Sequence, residues 1–385
     1  MIVATLRRTS QQPELLLWVL YLLLFPLYVF KSGLPQPGDL LVLLMAPVVL
    51  LRWDGRLPGP SAQALRPLLV FTSYVVVSAL AWSIATSSWT IDLQRGFLLS
   101  PAFYVYNALL FVIAIVLYRR HGDTLLAVTV YTLIASVLMQ AALSLVYSRG
   151  DIRGQVLFNN PNQLGYFSLL SGTILLLLQR RLRLPTWLVA VTLLGCSYLA
   201  LLSASKAALG SLAILVAVAV FDRLRTVFLV GGIVALALSV SSPLTVIVER
   251  TEHRIRNDQH SGFFLERGYD RILNHPEYWI AGSGEGNYLR FKDTTTVGSV
   301  ELHSSAGTLF FCYGFAGTGL FLWFLWRIVR GAPIRLQLQL LPAAAYGFVH
   351  QGLRFTLLWV LLAIVVVLRA EGSAPAGPGR RGARP

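Results

Sequence analysis

The sequence predicts an all-α, polytopic membrane protein with about twelve transmembrane helices and one long non-cytoplasmic loop. Three observations lead there. Of 385 residues, 56% are hydrophobic and only 13% are charged, against about 25% charged in soluble domains. The apolar residues gather in runs, and a bilayer span takes about 20 of them. Arginine and lysine concentrate in alternate connections between the runs, as positive-inside topology requires.

The runs lie at roughly 14–31, 38–52, 67–86, 97–118, 124–147, 162–179, 186–202, 205–221, 226–242, 305–326, 338–350 and 353–369. The first follows Arg7 and Arg8 and ends Lys31-Ser32-Gly33-Leu34-Pro35 with no small-residue cleavage site. It reads as a retained span, not a signal peptide. Pro26, Pro47 and Pro342 fall inside runs, which neighbouring helices make tolerable. The turn at Ser203–Lys206 is the shortest boundary between two runs.

With the N-terminus inside, every inside segment holds at least two basic residues: Arg7, Arg8; Arg52, Arg56, Arg66; Arg119, Arg120; Arg180, Arg181, Arg183; Arg223, Arg225; Arg327, Arg330, Arg335; and Arg369, Arg380, Arg381, Arg384. The short outside loops hold Lys31; Arg95; Arg149, Arg153; Lys206; and Arg354. Both termini are expected in the cytoplasm. The net charge of +15 is therefore a topology signal, not a nucleic-acid surface. Cys196 and Cys312 lie in apolar runs and read as buried core residues.

Residues 1–370 read as a single transmembrane domain and 371–385, rich in Gly, Pro and Arg, as a disordered tail. The exceptional connection is 243–304, a long polar loop with room for short helices at 244–256 and 262–273. It is placed outside.

Four polar constellations share that outer face. Asn159-Asn160-Pro161-Asn162-Gln163 opens the sixth span. It suits a turn with Asn162 capping the following helix, and its amides also suit sugar hydroxyls. Ser203-Ala204-Ser205-Lys206 offers a capping serine and a lysine that either snorkels to the interface or faces an anionic head group. In the long loop Arg267 and Arg271 are spaced i, i+4. On a helix they share one face, either solvated beside Glu266 and Asp270 or aimed at phosphate oxygens. The Gly282-Ser283-Gly284-Glu285-Gly286-Asn287 run has no following Gly-Lys-Ser/Thr and is not a P-loop. Glu301-Leu302-His303-Ser304-Ser305 precedes the tenth span, and His303 is suited to proton transfer near neutral pH. His350 and Arg354 form a similar outward pair, and no histidine spacing suggests a metal site.

These residues also carry a likeness. Asn160-Pro161-Asn162 with Gly165, Ser203 to Lys206, an outer-loop Arg ahead of Pro276, Gly282 and Gly284, and His303 ahead of Gly314 and Gly317 follow one another in order. Over roughly 155–325 the chain resembles the O-antigen ligase and polymerase superfamily of bacterial envelope glycosyltransferases. It departs from the pattern at Lys206, where Arg is usual, and at Ser304, where Asn often follows the His.

The resemblance implies a multi-pass protein of the bacterial inner membrane. Such a protein moves a glycan from undecaprenyl diphosphate to an acceptor glycan or glycolipid, with no metal, cofactor or nucleotide sugar. It implies His303 as the base, Arg267 and Lys206 as diphosphate clamps, and Arg250, Arg254 and Arg271 in reserve. Asn160, Asn162 and Gln163 become glycan or structural contacts. Chain-length regulators or flippases are the implied protein partners. A polymerase-like role is expected ahead of ligation to the lipid A core. The rival reading from another class is a transporter of the lipid-linked glycan, which places its polar groups at mid-membrane in broken helices.

Overall fold

A computed structural model describes residues 12–86 except 32 and 58, 96–147, 153–219, 267–291 except 289, and 301–372. The described residues form helices and no strand. They are α1 (Pro13–Leu24), α2 (Pro37–Leu50), α3 (Gly59–Ala85), α4 (Leu99–His121), α5 (Asp123–Tyr147), α6 (Pro161–Leu178), α7 (Thr186–Ser203) and α8 (Lys206–Ala219). After the long connection come α9 (Asp270–Asn274), a 3₁₀ turn (Pro276–Tyr278), α10 (Ser305–Val329), α11 (Ile334–Leu338), α12 (Leu341–Val349) and α13 (Thr356–Gly372). The run 226–242, the segment 244–256, Arg250, Arg254 and the tail from 373 lie outside the described residues.

Five helices, α3, α4, α5, α7 and α10, are long and apolar enough to cross a membrane. Others are shorter than their apolar runs, and α1 gives the reason. Phe25 keeps helical geometry and its N–H still donates to the Tyr21 carbonyl, but Pro26 has no N–H to continue the ladder, so α1 stops at Leu24 although apolar residues continue to Phe30. Pro37 and Pro342 instead stand in first turns, where a missing N–H costs nothing.

α13 is the hub. Every residue from Thr356 to Val367 is buried, as expected of a helix apolar on all sides. It packs on α3, α4, α6 and α10. The α6 helix is likewise buried throughout from Leu164 to Leu176, between α5, α7, α12 and α13. The N-terminal helix joins this interior. Tyr21 donates to Thr356 Oγ1 at 2.8 Å, and Trp18 donates to Thr129 Oγ1 at 2.9 Å. Cys196 and Cys312 are free thiols buried in the core.

Charged side chains gather at the two ends of the bundle. At one end Glu14 is approached by His121 at 3.4 Å and by Arg52 and Arg120 at 4.0 Å. There Asp54 also pairs with Arg119, and Arg181 joins Asp123 and Glu371. Arg369 donates to the Ile328 carbonyl at 3.1 Å. All these arginines come from segments assigned to one side by the charge count.

α10 is broken at Gly314, whose φ of 63° and ψ of −167° are non-helical. The chain segment 279–284 fills the break. Ser283 and Gly284 N–H donate to the Phe311 and Cys312 carbonyls at 2.9 and 2.8 Å. Phe315 and Ala316 N–H donate to the Trp279 and Ile280 carbonyls at 2.6 and 3.1 Å. From α3, Tyr74 Oη donates to the Ala281 carbonyl at 2.7 Å and Trp82 Nε1 to the Gly282 carbonyl at 3.2 Å. The Gly-rich run is thus a wedge between α3 and α10. A Cβ on Gly314 would collide with the Ile280 carbonyl, and one on Gly282 with the Cys312 carbonyl.

Gly314→Ala is expected to destabilise the protein by about 1–3 kcal/mol or more, the cost of a side chain in glycine-only backbone. Gly319, where an added Cβ would meet nothing within 4 Å, is the control: Gly319→Ala should be neutral or stabilising by up to about 1 kcal/mol. Thermal unfolding of the two variants in one detergent checks the contrast, and equal melting temperatures would refute the break.

Candidate functional site

The opposite end of the bundle is organised by the start of α10. Ser304 is its N-cap: the hydroxyl accepts from Gly307 N–H at 3.0 Å. Serine and asparagine are comparable caps. Tyr269 Oη lies 2.6 Å from Ser304 Oγ and donates to the Phe348 carbonyl at 2.6 Å. Ser305 N–H donates to the His350 carbonyl at 3.2 Å, and Ser305 Oγ accepts from Gly352 N–H at 2.7 Å. The segment before α9, the start of α10 and the α12–α13 connection therefore form one unit.

Arg267 and His350 meet on it, and it carries His303. Arg267 Nη1 lies 3.4 Å from His350 Nδ1. His303 is exposed, one residue before the cap. Loss of water around its ring pulls its proton affinity below the ordinary histidine value. Arg267 and Arg271 push the same way, and Glu301 opposes them. The net direction favours the neutral imidazole.

An acid–base network underlies this surface. Glu285, carried into the interior by the wedge, is 1% exposed. It accepts from Tyr313 Oη at 2.6 Å and from Arg354 Nε at 3.1 Å. Arg354 also reaches Glu301, with Nη2 at 2.7 Å from Oε1. Breaking a buried ion pair by removing one partner typically costs about 3–5 kcal/mol, so this network holds three segments in register. Arg290, among the rings of Phe291, Trp82 and Phe97 at 4.5, 4.8 and 5.1 Å, clamps the carbonyl of Ser283 on the same wedge.

Asn160 and Asn162 have structural positions. Asn160 caps α6 by accepting from Asn162 N–H at 2.8 Å. Asn162 Oδ1 accepts from Arg153 Nη2 at 2.7 Å, and its carbonyl accepts from Tyr346 Oη at 3.0 Å. Gln163 is half-buried beside them. Arg153 also donates to the Ser203 carbonyl at 3.0 Å. That ties the α6 start to the turn where Ala204, at φ 46°, ends α7 and Lys206 begins α8. Lys206 is half-buried there, and Arg153, Asn162 and Tyr346 link its turn to the helix preceding His350.

Arg271 departs from expectation. Gly268 at φ 73° bends the chain, and α9 begins only at Asp270. Arg267 and Arg271 therefore do not share a helix face. Arg271 is 1% exposed and faces the rings of Phe291 and Phe311 at 5.7 and 5.9 Å, a packing position with long-range reach to His303. Sequence reasoning misses Arg153 and Glu285. In sequence the first is one more loop charge, and the second sits in a run whose glycines draw the eye. Among the described residues no group of three or more His, Cys, Asp or Glu side chains could hold a metal ion.

Ser304→Ala should lower stability by about 1 kcal/mol through loss of the cap, while Ser304→Asn should keep it. Denaturation midpoints of the two variants check this, and a Ser304→Ala midpoint equal to wild type would contradict the capping role.

No family model and no curated protein matches the chain.

Proposed function

We propose that the chain is a membrane glycosyltransferase of the bacterial inner membrane. It moves a glycan from an undecaprenyl-diphosphate carrier to an acceptor hydroxyl on the periplasmic face, in a polymerase-like role. The observation that carries this reading is that His303, exposed one residue before the α10 cap, and Arg267, beside His350, belong to one unit at the end of the bundle opposite the basic clusters. The reading includes about twelve spans with both termini in the cytoplasm, in keeping with the twelve apolar runs and the charge alternation.

The chemistry asks for two things at that surface. The acceptor oxygen attacks the anomeric carbon as the bond from that carbon to the phosphate oxygen breaks. The acceptor proton passes to the His303 imidazole, and the diphosphate leaves with its electron pair. Fixed cations stabilise the charge that develops on the leaving group. Arg267 is the first of these, with Lys206 at the neighbouring turn. The Arg267 guanidinium presents a planar fork suited to phosphate oxygens.

One observation favours a transporter: α10 is broken and the buried Glu285–Arg354 pair lies beside the break. Broken transporter helices leave backbone groups for ions or substrate. Here the groups at the break bond to the wedge, so the enzyme reading is preferred. Ligation to a lipid A core remains the alternative acceptor within the same chemistry.

Purified protein in detergent with EDTA and an undecaprenyl-diphosphate oligosaccharide should produce a ladder of longer lipid-linked glycans. No ladder, even with a lipid A-core acceptor added, would overturn the enzyme reading and favour transport. His303→Ala should lower kcat by about 10²–10⁴-fold, the usual worth of a positioned base. Because the His303 proton affinity is depressed, the wild-type rate should fall on the acid side only below the ordinary histidine pKa of about 6.5. Full activity of a correctly inserted His303→Ala protein would refute the base assignment.

A further inference from the structure

The four residues before α10 alternate in burial. Leu302 and Ser304 are fully buried, while Glu301 is half-exposed and His303 is exposed. Ser304 is extended, at φ −142° and ψ 135°. In extended chain, residues i and i+2 share a side. The alternation leaves Glu301 and His303 on the more exposed side of this segment, with Leu302 and the capping Ser304 turned inward.

Glu301 is itself held. Arg354 grips it at 2.7 Å and is gripped in turn by Glu285, which also takes the Tyr313 hydroxyl. The result is a continuous line of contacts from the break in α10 to Glu301, two residues before the exposed imidazole: Tyr313, Glu285, Arg354, Glu301. Nothing in the transfer chemistry requires the inner members of this line to touch substrate. Their geometry fits a different task.

We propose that Glu301 is a positioning residue for His303, held in place by Arg354 and, through it, by the buried carboxylate of Glu285. The carboxylate fixes the charge that faces the ring and so tunes the base to its work. The other charged groups facing the ring are Arg267 and Arg271, both of which oppose protonation, with His350 behind Arg267. Glu301 is the one group among these that favours the imidazolium formed when the acceptor proton arrives. The inference rests on the reading of His303 as base, and its test is chosen to be independent of that reading.

Carbethoxylation by diethyl pyrocarbonate modifies only neutral imidazole. Following it at His303 across pH by peptide mass spectrometry, on the full-length protein in nanodiscs, gives a protonation midpoint without any substrate. Glu301→Gln should move that midpoint to lower pH by roughly 0.5 to 1 pH unit, the size expected for one partly screened charge at close range. Glu301→Asp, which keeps the charge, should restore most of the shift. Glu285→Gln combined with Arg354→Gln removes both charges together and takes away the group that holds Glu301, so the midpoint should fall toward the Glu301→Gln value. A Glu301→Gln midpoint equal to wild type overturns the pairing. A double variant equal to wild type overturns the part given to Arg354 and Glu285. If these shifts occur while His303→Ala retains full transfer activity, the pairing stands and the base assignment falls.

Discussion

A helix cut inside an apolar bundle drops backbone donors and acceptors that nothing nearby can solvate. Each such group left bare costs about 1–3 kcal/mol. In α10 the cut at Gly314 is closed by four backbone hydrogen bonds from the segment 279–284. That closure is the constraint on which the polar face depends. It fixes where the wedge enters, and the wedge carries Glu285 into the interior. Hydrogen bonds from Tyr74 and Trp82 on α3 leave the wedge one seat.

The buried carboxylate then decides what surrounds it. An isolated buried charge is not tolerated, so Glu285 must find a cation. It finds Arg354, in the connection between α12 and the hub helix α13, and Arg354 in turn reaches Glu301. Through the Ser304 cap and the Ser305 contacts, the same connection is stitched to the start of α10. The side chains that neutralise the buried carboxylate are thus also those that tie Glu301 to the α12–α13 connection.

The helices were legible in the sequence because apolar runs of this length have few alternatives. Each apolar run inside the described residues contains a helix. Helix ends were less legible, since a run marks hydrophobicity while Pro26 decides where α1 stops. The site was legible in part. His303, His350 and Arg354 stood out as polar residues at span ends. A cap was legible at the start of α6, but it reads as Asn162 in sequence and is Asn160 in the structure. The wedge was not legible. Glycines at 282, 284 and 286 advertise tight backbone, but only the three-dimensional fit reveals that α10 itself is the backbone they approach. Arg271 misled for a similar reason. Its spacing from Arg267 suggests a shared helix face, and Gly268 between them undoes it.

The central claim is that a lipid diphosphate sits against Arg267 within reach of His303. An electron cryomicroscopy map of the protein in nanodiscs with undecaprenyl diphosphate tests it most directly. Diphosphate density is expected beside the Arg267 guanidinium, at the start of α10. Density at the opposite end of the bundle, beside Arg181 or Arg120, would contradict it.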